Sequence, residues 1–127
     1  MVITNAVSLN MLPPEVQSGG IIFRRLSISE AQRLVHEASE VVSAIGHADT
    51  ARLVGAQLSI ELAPDRRSVV LGDEYTLVAQ YIGPRLPEGA TELPSGTRIE
   101  YFLVRLATGE ELAGRGDMVF FPQRSGG

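Results

Sequence analysis

The chain has 127 residues, 44% of them apolar and 20% charged, which suits one packed domain and leaves no room for two. It holds no cysteine and two histidines, His36 and His47, which excludes a disulfide scaffold, a thiolate metal centre and a thiol nucleophile and argues against an imidazole zinc site. A net charge of −4 disfavours a protein that grips duplex DNA through many phosphates, while leaving room for a small anion in a locally positive pocket.

Residues 1–7, MVITNAV, predict a short apolar strand, followed by turns at Pro13–Pro14 and Gly19–Gly20. Ile21–Leu26 reads as a second strand broken by Arg24 and Arg25. Ser27 and Glu30 have capping-box spacing, so a helix should follow them. Ala31, Leu34, Val35, Ala38, Val41 and Val42 would make its apolar face. His36 lies off that face and reads as an exposed helix histidine. A second helix is expected over 48–59, with Asp49 and Thr50 in its first turn and Ala51, Val54 and Leu58 buried. Beyond Pro64, strands are expected over 68–71, 75–82 and Arg98–Leu106, the last apolar on both faces as a central strand is.

This order predicts an α/β protein of the α+β kind, a single mixed five-stranded β-sheet with helices packed on one face. The other face needs water or a partner, which a homodimer would supply. The domain is placed at 1–107, and 108–127 as a tail whose QRSGG ending reads as frayed. No run approaches the roughly 18 apolar residues that span a bilayer, and no secretory pattern opens the chain, so neither a membrane nor an exported location is expected. All eleven basic residues are arginine, which reads as genome composition rather than a binding signature.

Three segments hold polar groups that folding does not require. Asn5, Ser8, Asn10 and Met11 lie where the first strand turns, a place for ligand contacts and equally for ordinary turn chemistry. Gly46 and His47 lead into the second helix, whose free N–H groups attract phosphate. Histidine there could donate a proton to a bound phosphodiester, or it could be a capping or buried side chain. Arg85 and Glu88 sit in a loop stiffened by Pro84, Pro87 and Gly89, where an arginine can hold phosphate or merely form a surface ion pair.

Taken together, NAVSLNML, SAIGHADTARLV and PRLPEGATELP resemble, in order, the signature blocks of the viral ring nucleases. These are small type III anti-CRISPR enzymes of archaeal viruses, phages and prophages that degrade cyclic tetra-adenylate. The resemblance runs from about residue 2 to 106 and stops at the tail. It implies a homodimer that needs no metal or other cofactor and works in the cytoplasm of the infected cell. In the implied reaction a ribose 2′-hydroxyl attacks the adjacent phosphorus, giving linear di-adenylate ending in a 2′,3′-cyclic phosphate. By the resemblance, His47 protonates the leaving 5′-oxygen and Arg85 holds the scissile phosphate. Glu88 orients Arg85 or the attacking hydroxyl, and Asn5, Ser8, Asn10, Met11 and Gly46 line the pocket. Two other readings stand beside it: a module that binds cyclic oligoadenylate without cutting it, and a dimer whose surface serves another protein.

Overall fold

Ser27 starts the first helix as its spacing demands: its hydroxyl accepts the Glu30 N–H at 3.1 Å while the Glu30 carboxylate accepts the Ser27 N–H at 2.8 Å. The computed structural model describes residues 1–114 of the chain. Its strands are β1 (Val2–Thr4), β2 (Ile21–Leu26), β3 (Val42–Ser43), β4 (Thr76–Ile82) and β5 (Arg98–Leu106). Its helices are α1 (Ile28–Glu37), α2 (Ala48–Leu58) and α3 (Gly109–Gly114), with a 3-10 turn at Leu9–Met11. The expected QRSGG ending lies outside the described residues.

The strands form one mixed sheet in the order β2-β5-β4-β1-β3. β5 runs antiparallel to both β2 and β4, and β1 runs parallel to both β3 and β4. The sheet therefore has an antiparallel half and a parallel half, joined at β4. β5 has neighbours on both sides, in keeping with its apolar sequence.

Alternation along the strands sorts their side chains into two layers. Ile3, Leu77, Ala79, Ile99, Tyr101 and Leu103 face α1 and α2, where they meet Ala31, Val35, Ala51, Val54 and Leu58. Burying each large aliphatic side chain contributes about 1.5–3 kcal/mol. Tyr101 is sealed in this layer, its hydroxyl donating to Gln57 Oε1 at 2.7 Å, and burial pushes its phenol well above its ordinary titration range. The opposite layer is thinner: Leu71, Val78 and Val104, with Met11, Phe102 and Leu106 against them. Phe23 on the same face stays 66% exposed.

The fifth strand is not the expected one. Residues 68–71 do not join the sheet, although Leu71 is buried and Val70 exposed in the alternation of a strand. Leu71 instead plugs the thin layer, held by a single backbone bond to the Met11 carbonyl at 2.8 Å. The missing strand is β3, read as the end of α1. The helix stops because the Ala38 N–H closes on the Leu34 and Val35 carbonyls and Ala38 itself turns extended. Val42 then pairs with β1, its N–H donating to the Met1 carbonyl at 2.9 Å. β1 is correspondingly shorter than 1–7: its pairing ends at Ile3 on the β3 side and at Thr4 on the β4 side.

Candidate active site

Because β1, β3 and β4 are mutually parallel, their carboxyl ends lie at one end of the sheet. In open α/β sheets that end is where loops converge on ligands. Asn5 follows β1, Gly46 and His47 follow β3, and Arg85 and Glu88 follow β4. Three segments remote in sequence are thus brought to one place by strand direction.

His47 is the N-cap of α2, with φ −97° and ψ 126°. Its carbonyl accepts the Ala51 N–H at 3.0 Å, but its side chain makes no capping hydrogen bond. The ring is exposed and lines two adjoining cavities. The larger, of about 750 Å³, is closed by the start of α2 and by Arg85, Leu86, Pro87, Glu88 and Gly89. The smaller, of about 420 Å³, is lined also by Asn5, Thr50, Gln80, Tyr81 and Gly83. His47 and Arg85 belong to both. The first N–H groups of α2, which no intrahelical carbonyl can reach, point to the same end.

The loop after β4 is held at several points. The Tyr81 hydroxyl donates to the Pro84 carbonyl at 2.6 Å, and Leu86 packs against the main core. Pro87 to Ala90 form a turn closed by the Ala90 N–H on the Pro87 carbonyl at 3.2 Å. Gly89, third in that turn, has φ +78°, a left-handed conformation that costs glycine nothing. Its N–H donates to Asp49 Oδ2 at 2.8 Å, tying the turn to α2. Glu88 is carried at the turn's tip. Neither Arg85 nor Glu88 takes part in an ion pair among the described residues, so both charges face the cavity uncommitted.

His47, Arg85, Glu88 and Asn5 therefore come together. Ser8, Asn10 and Met11 do not reach either cavity lining. Ser8 caps the 3-10 turn through its backbone, its carbonyl accepting the Met11 N–H at 3.0 Å, and Asn10 is exposed beside it. Met11 packs under the thin layer with Leu71 and Val78. Gly46 adjoins the site for a packing reason: a Cβ there would sit 2.9 Å from Arg66 Cγ, where 65–66 crosses and the Asp65 N–H bonds the Ile45 carbonyl at 2.8 Å. Thr50, Gln80 and Tyr81 are lining residues that sequence reasoning did not single out. His36 is exposed as expected, and its Nε2 lies 3.0 Å from the Leu58 carbonyl at the end of α2.

These features define a small α+β protein with one mixed sheet and a polar pocket at the carboxyl ends of its parallel strands. The STIV B116-like family matches residues 1–102, and the chain belongs to that family. The solved structure of B116 of Sulfolobus turreted icosahedral virus is similar, with TM-score 0.65 and 26% identity, covering 82% of this chain and 97% of that one. No curated protein matches the chain in sequence. The family match takes in both the His47 segment and the loop after β4 and ends within β5. No helix among the described residues is long and apolar enough to cross a membrane.

Proposed function

We propose that this protein is a ring nuclease that opens cyclic tetra-adenylate without a metal, working as a homodimer in the cytoplasm of an infected or lysogenic cell. The observation that carries this reading is the uncommitted imidazole of His47 at the start of α2, sharing a cavity with Arg85 and Glu88. A phosphodiester seated there meets the positive end of a helix, a guanidinium and a proton donor.

In this reaction the ribose 2′-oxygen forms a bond to the adjacent phosphorus, and the bond from phosphorus to the 5′-oxygen breaks. The hydroxyl's proton passes to solvent, and His47 supplies a proton to the departing 5′-oxygen. Arg85 holds the non-bridging oxygens as charge builds on them, and Glu88 orients Arg85 or the attacking hydroxyl. The substrate carries its own nucleophile, so the protein chiefly imposes an in-line geometry, which can supply several kcal/mol, about 7–11 at the upper end. One placed acid adds about 10²–10⁴-fold.

The test is to incubate the protein with labelled cyclic tetra-adenylate and a chelator and to identify the products. Linear di-adenylate ending in 2′,3′-cyclic phosphate is expected, and His47→Ala should slow its formation at least about 100-fold while ring binding survives. An intact ring that nevertheless raises the melting temperature would replace cleavage with sequestration. No thermal shift at all would remove the ligand, leaving a surface for another protein.

A further inference from the structure

We infer that Asp49 and Arg52 are positioning residues: they latch the loop after β4 onto the first turn of α2 and so hold Arg85 and Glu88 opposite His47. The activity arm of this inference rests on the ring-nuclease reading; the latch itself does not.

Asp49 sits two residues past the His47 cap, where an aspartate usually serves the helix end. Here it serves the loop. Its side chain is only 9% exposed, and its two oxygens are divided between two tasks. Oδ1 accepts from both terminal nitrogens of Arg52, at 3.2 and 2.8 Å. Oδ2 accepts the Gly89 N–H at 2.8 Å, 40 residues away. Arg52 then reaches past the carboxylate to donate to the Ala90 carbonyl at 3.1 Å. The loop's turn is thus gripped at consecutive residues, by its N–H through Asp49 and by its carbonyl through Arg52.

As an ion pair three residues apart on a helix, Asp49–Arg52 would add little to stability. Its geometry accounts for more than that. A buried acceptor left without a partner is costly, and Asp49 Oδ2, unlike the Oδ1 held by Arg52 on the same helix, is satisfied only while the loop is seated. Asp49 itself lines the larger cavity, and its bonds to Arg52 and Gly89 offset the negative charge it would otherwise present to an anion bound there. Because Glu88 directly precedes Gly89 and Arg85 lies in the same short loop, release would let both side chains move relative to His47. A misplacement of about 1 Å can cost on the order of 100-fold in rate.

The experiment measures Gly89 amide exchange by NMR, together with kcat and KM for cyclic tetra-adenylate, in wild type, Asp49→Ala, Asp49→Asn and Arg52→Gln. In Asp49→Ala the Gly89 N–H loses its acceptor, so its exchange should accelerate about tenfold or more, and kcat should fall about tenfold or more. Asp49→Asn keeps an oxygen for Gly89 but cannot hold the Arg52 charge, so both readouts should lie between wild type and Asp49→Ala. Arg52→Gln should resemble Asp49→Asn, which keeps the proposal testable should Asp49→Ala not fold. Unchanged Gly89 exchange in folded variants overturns the latch whatever the activity does. Faster exchange with unchanged kcat overturns the positioning role. If the wild-type protein leaves the ring intact, the nuclease reading fails, and the exchange data alone decide the latch.

Discussion

At the residue scale, His47 is a helix cap that does no capping. Serine, threonine, aspartate or asparagine at an N-cap satisfies one of the first N–H groups, and replacing such a residue by one that does not costs about 0.5–2 kcal/mol. α2 forgoes that contribution, although the backbone at His47 is already extended as a cap requires. His47→Ser should therefore raise the melting temperature by a few degrees while lowering ring cleavage at least about 100-fold. Thermal melts and a cleavage assay on the same preparation check both halves, and a lower melting temperature would mean that the imidazole is holding structure instead. The residues of this site were legible where they lie in turns: His47 after Gly46, and Arg85 and Glu88 among prolines and glycine. Gln80 and Tyr81 were not, because a strand's sequence does not say which of its residues end beside another strand's loop. Ser8, Asn10 and Met11 lie in the turn after β1 but outside both cavity linings of the single chain, because the 3-10 turn at Leu9–Met11 carries the chain away from the ends of β3 and β4.

At the element scale, two capping boxes make the protein's response to acid calculable in sign. In α1 the Ser27 N–H and hydroxyl hold the Glu30 carboxyl below its ordinary range. In α3 the Arg105 guanidinium, aided by the Thr108 N–H, pulls Glu111 from 4.5 down to about 2. Arg105 reaches both Glu111 oxygens at 2.6 Å, tying α3 to β5. A carboxyl whose folded value lies below its unfolded one stabilises the fold above the unfolded value and stops doing so as pH falls through the folded one. The melting temperature should thus be level from pH 7 to about 5 and drop between about 4.5 and 2, with Glu111→Gln showing a shallower drop. Calorimetry across that range checks it, and an equal slope in the variant would remove Glu111 from the account. The box at Ser27 is visible as a spacing, whereas the one at Thr108 is hidden in the segment read as a tail, where Gly109 and Gly114 make the sequence look loose. β3 and 68–71 exchanged roles for a related reason. Val41 and Val42 fit helical arithmetic, and Leu71 fits strand arithmetic, but pairing partners decide both, and partners are tertiary facts.

At the scale of the whole molecule, the two halves of the sheet divide the labour. The antiparallel half gives β5 its two neighbours and leaves Phe23 and the Arg25–Phe102 stack near the surface, while the parallel half gathers the site. One chain carries one His47, one Arg85 and one Glu88, yet converting a ring of four identical nucleotides into two dinucleotides needs two cuts on opposite sides. The homodimer proposed above would answer that demand, each copy presenting the same groups to one half of a two-fold ring. The expected stoichiometry is therefore one ring per two chains, measurable by titration calorimetry with light scattering for the mass. The sharper consequence concerns products. In mixed dimers of wild-type and His47→Ala chains, separated by distinct affinity tags, only one of the two opposed linkages meets a proton donor. Such dimers should release linear tetra-adenylate early and di-adenylate late, whereas wild-type dimers should show di-adenylate from the first time points. If mixed dimers make di-adenylate as fast as wild type, each chain cuts on its own, and the two-fold axis contributes nothing to the chemistry.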